Sequence, residues 1–168
     1  MTKHWTIFLI ILLFMEPMAD TVMPALLPEI LRGTSLFPAF VIIMFLFLPQ
    51  PWIPIVIMVG AMWRDIILLA HLAPTFLGAG LALVILVLLK QFLTNRSLMT
   101  DGLTVLLAYG GYVLGEALSL WLAKLLGLSD EPQRLFMVGA LAANFVFIIV
   151  FILIWRLYHP DEVSHNFY

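Results

Sequence analysis

Phe37-Pro38-Ala39-Phe40-Val41-Ile42-Ile43-Met44-Phe45-Leu46-Phe47-Leu48-Pro49-Gln50-Pro51-Trp52 is the stretch on which the fold turns. No polar side chain occurs from Phe37 to Leu48, and Pro49-Gln50-Pro51 closes the run in a tight turn. A second apolar run, Trp52 to Leu69, starts at once, so the pair reads as a hairpin of two spans. Both are shorter than the ~20 residues a perpendicular membrane crossing needs. Tilt, a thinned bilayer or protein-lined ends must supply the difference.

Upstream, an apolar run from Trp5 to Met15, extensible to Met23, reads as a first span. It follows a short polar start, Lys3-His4, and meets Glu16-Pro17 without a clean small-x-small cleavage site. A retained span is therefore expected rather than a cleaved signal peptide. Pro17, Pro24, Pro28 and Pro38 argue against one long helix over Glu16 to Pro38. Within it, Pro28-Glu29-Ile30-Leu31-Arg32-Gly33 reads as a short interfacial or re-entrant helical turn, proline at its start and glycine past its end. Downstream, His71-Leu72-Ala73-Pro74 closes the third span, and Thr75 to Leu93 forms the fourth. A fifth, Met99 to Leu126, follows the polar loop Thr94-Asn95-Arg96-Ser97. Ser129-Asp130-Glu131-Pro132 then signals a turn and a helix start, and Arg134 to Tyr158 makes a sixth span. The expected fold class is an all-α integral membrane protein with about six transmembrane helices, two of them short. One polytopic domain covers 1–158, and a polar tail covers 159–168.

Composition agrees. Of 168 residues, 64% are hydrophobic and 11% charged, with a mean hydropathy of +1.12. Soluble domains run nearer ~45–50% apolar and ~25% charged, which excludes a soluble domain, a disordered chain or a disulfide-stapled module. The formal charge of −2 offers no basis for a nucleic-acid partner. Without cysteine there is no thiol chemistry, and His4, His71, His159 and His165 are too scattered for a helix-borne metal pair. No nucleophile, phosphate-loop or metal motif is present, so neither an enzyme nor a cofactor is expected. Six spans put both termini on one side. Lys3, Lys90, Arg96 and Arg156 then face Arg32, Arg64, Lys124 and Arg134, an even balance that leaves orientation open. Trp5, Trp52, Trp63, Trp121 and Trp155 fall near span ends, as an aromatic belt requires.

Charges within spans are costly and therefore the best functional pointers. Glu116 lies inside the fifth span, in Tyr109-Gly110-Gly111-Tyr112-Val113-Leu114-Gly115-Glu116. Tyr109, Tyr112 and Glu116 share one helical face, and Gly111 and Gly115 form a GxxxG that admits another helix. This motif reads as helix packing around a hydrogen-bonded acid, as a partner or ligand contact, or as a proton-coupling carboxylate. Arg64-Asp65 lies late in the third span. Adjacent helical residues do not face each other, so Asp65 needs a partner elsewhere, such as the N–H groups near Pro74-Thr75. Arg64 either snorkels to the interface or meets Glu116. Glu16 and Asp20, one turn apart, suggest a water-exposed helix end. Asn144 is placed to hydrogen-bond across helices, with Gly139, Ala140, Ala142 and Ala143 allowing close packing, as Gly78 and Gly80 do in the fourth span.

Phe37-Pro38-Ala39-Phe40, the proline-rich hairpin, Gly60 with Asp65, and Leu77-Gly78 opening the fourth span give a pattern that resembles the MreD family of bacterial rod shape-determining membrane proteins, over about residues 5–158. The resemblance implies about six spans with both termini cytoplasmic, in the bacterial inner membrane. It implies a non-enzymatic scaffold in the machinery that builds lateral cell wall. The implied partners are an MreC-like single-span protein, through it an MreB-like filament, and RodA with a class B penicillin-binding protein. It also implies a fold similar to the substrate-binding subunit of energy-coupling-factor transporters. That keeps open a second function, small-molecule binding on the Tyr109–Tyr112–Glu116 face with Trp63 and Asn144. For the scaffold, Gly111 and Gly115 are the expected approach face for the partner helix, with Tyr109, Tyr112 and Glu116 as polar anchors.

Overall fold

The computed structural model describes residues 3–22, 35–48, 50–70, 72–92, 98–128 and 138–158, with helix side chains at 6–18 and 144–154 in α1 and α6, through 91 in α4 and from 100 in α5. These residues form six α-helices and no strand: α1 (Lys3–Val22), α2 (Phe37–Phe47), α3 (Ile53–Ile67), α4 (Pro74–Phe92), α5 (Leu98–Leu125) and α6 (Val138–Tyr158). Each falls on an expected span. The helical turn expected at Pro28–Gly33, His71, the loops at 94–97 and 129–132, and the tail at 159–168 lie outside the described residues.

The apolar character of Phe37–Leu48 decides the architecture. A helix with no polar face has no side to turn to water, and α2 sits at the centre. Every residue from Phe37 to Met44 is buried, and α2 approaches each of the other five helices. Its 11 residues reach only about 16 Å, so neighbouring helices, rather than bilayer, surround it. Pro38 near its start costs nothing there, because the first helical N–H groups lack an intrahelical acceptor.

α4 and α5 form the closest pair. Glycines decide this. A Cβ on Gly115 would lie 2.5 Å from the Leu77 carbonyl oxygen and 2.7 Å from the Gly78 Cα, and one on Gly78 would lie 2.9 Å from the Tyr112 carbonyl oxygen. The two backbones therefore touch where neither helix carries a side chain. On the other side of the core, Leu13 of α1 fills the notch at Gly60 of α3. α6 packs on α2 through edge-on ring pairs, Phe40 with Phe147 at 5.8 Å and Phe47 with Phe151 at 5.4 Å between centroids.

α4 and α5 are each long and apolar enough to cross a membrane. The link from α3 to α4 is strained. Leu69, Leu72 and Ala73 adopt left-handed φ values of 50°, 58° and 47°, each costing about 1–2 kcal/mol in a non-glycine residue. Ala70 N–H donates to the Asp65 carbonyl, and the Ser119 hydroxyl of α5 donates to the Leu72 carbonyl at 2.7 Å. These bonds anchor the strained link at both ends.

Candidate functional site

Among the described residues, the buried charges Glu16, Arg64 and Asp65 gather at one end of the bundle, where α1 and α3 finish and α2 and α4 begin. Asp65 stands two residues before the end of α3 and is 4% exposed. One carboxylate oxygen accepts the Thr75 N–H at 3.0 Å and the other the Phe76 N–H at 2.8 Å. Pro74 is the first residue of α4, so these are the second and third N–H groups of that helix, which have no intrahelical acceptor. A carboxylate there also meets the positive end of the helix dipole. This is the contact the sequence suggests for Asp65.

Glu16 does the same for α2, and here the sequence reading needs correction. Glu16 is not a water-exposed helix end; it is 8% exposed. Its Oε1 accepts the Leu36 and Phe37 N–H groups, both at 3.1 Å, and the Ser35 hydroxyl at 2.8 Å. The pairing of Glu16 with Asp20 misled, because one-turn spacing says nothing about which neighbour covers the helix end. The Asp20 side chain lies outside the described residues. A signal was present: Glu16 precedes a helix opening with Phe37-Pro38, as Asp65 precedes one opening with Pro74.

Arg64 is also corrected. It does not snorkel outward, but lies 7% exposed with Nε 3.4 Å from the Glu16 Oε2. One of its terminal nitrogens donates to the Ser35 hydroxyl at 3.0 Å, and its guanidinium stands 5.7 Å above the Phe37 ring. A buried guanidinium must find its counter-charge within the fold, and Glu16 is the carboxylate that α1 delivers. Asn144 of α6, 1% exposed, donates to the Ser35 carbonyl at 2.7 Å. One short segment at Ser35–Phe37 thus joins α1, α3 and α6 to the start of α2.

Tyr109, Tyr112 and Glu116 lie on one side of α5, as their spacing requires. Tyr112 is 2% exposed, its ring 6.4 Å from that of Phe37 and its hydroxyl beside the Glu116 carboxyl. Tyr109 is buried and Glu116 half-buried. Gly111 and Gly115 need the third correction. The helix they admit is α4 of the same chain: Gly115 against Leu77 and Gly78, Gly111 against the Ile85 side chain. The preceding helix, α4, carries the matching Gly78, so the fold closes this groove on itself. Gly80 makes only ordinary contact, with Met58. Trp63 is partly exposed and apart from the network.

The arrangement can hold three helix ends and one buried cation together without water. No group of three or more metal-ligating side chains occurs among the described residues. No family model matches the chain, and neither a curated protein nor a solved structure matches it.

Proposed function

We propose that the chain is a multi-pass protein of the bacterial cytoplasmic membrane and acts, without catalysis, as an MreD-like scaffold of the cell-elongation machinery. One observation carries the membrane reading: buried charges turn inward while rows of large apolar side chains turn outward. Glu16, Arg64, Asp65 and Asn144 are buried, while Ile55, Val59, Met62 and Ile66 of α3, Leu106, Leu107, Leu114 and Leu118 of α5, and Val146, Ile149, Val150 and Leu153 of α6 face outward. Water reverses that distribution and lipid favours it, because a charge in hydrocarbon must turn inward to a partner. The described helices then cross alternately, and both termini lie on the cytoplasmic side. The caps at α2 and α4 fall on the opposite side.

The scaffold role is supported by the family resemblance. A bundle whose central polar groups serve helix ends suits holding partners better than chemistry. Its partner is an MreC-like single-span protein, and through it an MreB-like filament, RodA and a class B penicillin-binding protein. A substrate-binding subunit of a vitamin-type transporter is the second reading, favoured by one observation, the Tyr112 hydroxyl set beside the Glu116 carboxyl within an apolar helix. Two measurements test the proposal. After alkaline extraction the protein stays with the membrane fraction; release into the supernatant ends the membrane reading. Co-expressed with a tagged MreC-like protein, it is recovered in stoichiometric amount. Recovery equal to that with an unrelated single-span protein ends the scaffold reading.

A further inference from the structure

We infer that the bilayer thins along the outward face of α3, so that this side of the protein takes lipids with short acyl chains. The inference rests on the membrane reading above, not on the scaffold reading, and names the lipid that this side fits.

The first ground is length. α1, α4, α5 and α6 have 20, 19, 28 and 21 residues, close to or above what ~30 Å of hydrocarbon needs at ~1.5 Å per residue. α2 with 11 and α3 with 15 fall short. The two short helices differ in what surrounds them. α2 is enclosed by the other helices, so its ends meet protein. α3 has an open side: Ile55, Val59, Met62 and Ile66 are 53% to 66% exposed and recur along one face. The helix rises about 22 Å, and even from Trp52 to Leu69, both exposed, the apolar surface rises at most about 25 Å. A standard hydrocarbon core exceeds that by about 5 Å.

The second ground is that neither end of α3 can extend. Continuing the helix backward would set the Pro54 ring against the Gln50 carbonyl. Forward, Leu69 turns left-handed and the Ala70 N–H donates to the Asp65 carbonyl. Asp65 in turn holds the start of α4. Tilt gives no relief, because it lowers the height of a helix that is already too short. The bilayer must then adapt.

The third ground is the contrast with α5. Its exposed Leu103, Leu114, Leu118, Trp121 and Leu125 span about 33 Å along the axis, and tilt can fit that length to an ordinary bilayer. α3 and α5 both pack on α4, so one molecule presents a tall side and a short one. On the short side Trp52 and Trp63 stand outward about 16 Å apart. Amphipathic rings of this kind favour headgroup depth, which a thin strip of bilayer offers to both.

Two single-tryptophan proteins test the contrast, one keeping Trp63 and one keeping Trp121, with the other four tryptophans replaced by phenylalanine. Each is reconstituted in brominated phosphatidylcholine of eighteen-carbon chains, which quenches the ring it touches. Unbrominated lipids of fourteen or twenty-two carbons then compete. At Trp63 the fourteen-carbon lipid is expected to restore fluorescence at least about twofold more effectively than the twenty-two-carbon lipid, and at Trp121 no more effectively. The same preference at both rings, or none at Trp63, overturns the inference. The unaltered protein supplies a second readout. Donor- and acceptor-labelled copies are mixed in vesicles of each lipid. Energy transfer is expected to rise at least about twofold from fourteen to twenty-two carbons, because copies meeting through α3 relieve the mismatch. A constant or falling signal overturns the inference. Failure to enter vesicles at all overturns the membrane reading itself.

Discussion

Glu16 and Asp65 differ from Glu116 in their place along the helix. The first two stand near the C-terminal ends of α1 and α3, so the chain returns beside them and starts α2 and α4 with N–H groups in reach. Glu116 stands nine residues before the end of α5, where its neighbours are the continuous backbones of α4 and α5. A carboxylate at a helix end can be consumed by the next helix's start. One in a helix middle cannot, because backbone N–H groups there are already bonded. The difference separates acids that cap a helix start from one that lies against a helix crossing, although all three are equally conspicuous charges in apolar sequence.

Removing the cation from the closed region should have the largest effect. Arg64→Ala leaves Glu16 buried without its counter-charge and is expected to cost about 3–5 kcal/mol, read as loss of the thermal transition in detergent; Glu16→Gln combined with Arg64→Ala should restore part of it. Next comes the helix crossing beside Glu116. Gly115→Val drives a side chain into the Leu77 carbonyl and the Gly78 backbone, with an expected loss of about 3 kcal/mol. If Gly115→Val is tolerated, the α4–α5 contact is not as close as the fold describes. Asp65→Asn keeps one acceptor and loses the charge at the α4 start, for about 1–2 kcal/mol. Its signature is faster hydrogen exchange at the Thr75 and Phe76 amides, and unchanged exchange would remove the cap from the comparison. Gly110→Ala, one residue from the crossing, meets nothing and should stabilise the helix by up to about 1 kcal/mol. Glu116→Gln should be the smallest, within about 0.5 kcal/mol, because Arg64 pairs at short range with Glu16 and glutamine keeps an acceptor beside Tyr112. A large destabilisation there would put Glu116 in the same class as Glu16 and Asp65.

Much of this fold is legible in the sequence because apolar runs and proline breaks are local signals. The six helices follow from them, and so does the central place of α2, whose residues offer no polar side. Asp65 is legible too: the distance to Pro74 is short, and a proline-opened helix advertises unbonded N–H groups. Glu16 is the same device across a longer connection, and a one-turn neighbour of like charge hides it. Arg64 is read either as snorkelling or as meeting Glu116, while the carboxylate it pairs with at short range lies on α1. The glycines of α5 mark a close approach in the sequence but not its partner, since Gly78 on α4 and a helix of another protein satisfy the same pattern.

The sequence by itself determines where helices form, that they are rich in apolar side chains, and that a few charges must find partners. These follow from composition and spacing along one chain. Only the tertiary structure decides which partner each charge takes, because pairing depends on which helix ends meet in space. It pairs Arg64 with Glu16, closes the Gly111–Gly115 groove with α4, and sets Glu116 beside Tyr112 and Gly78.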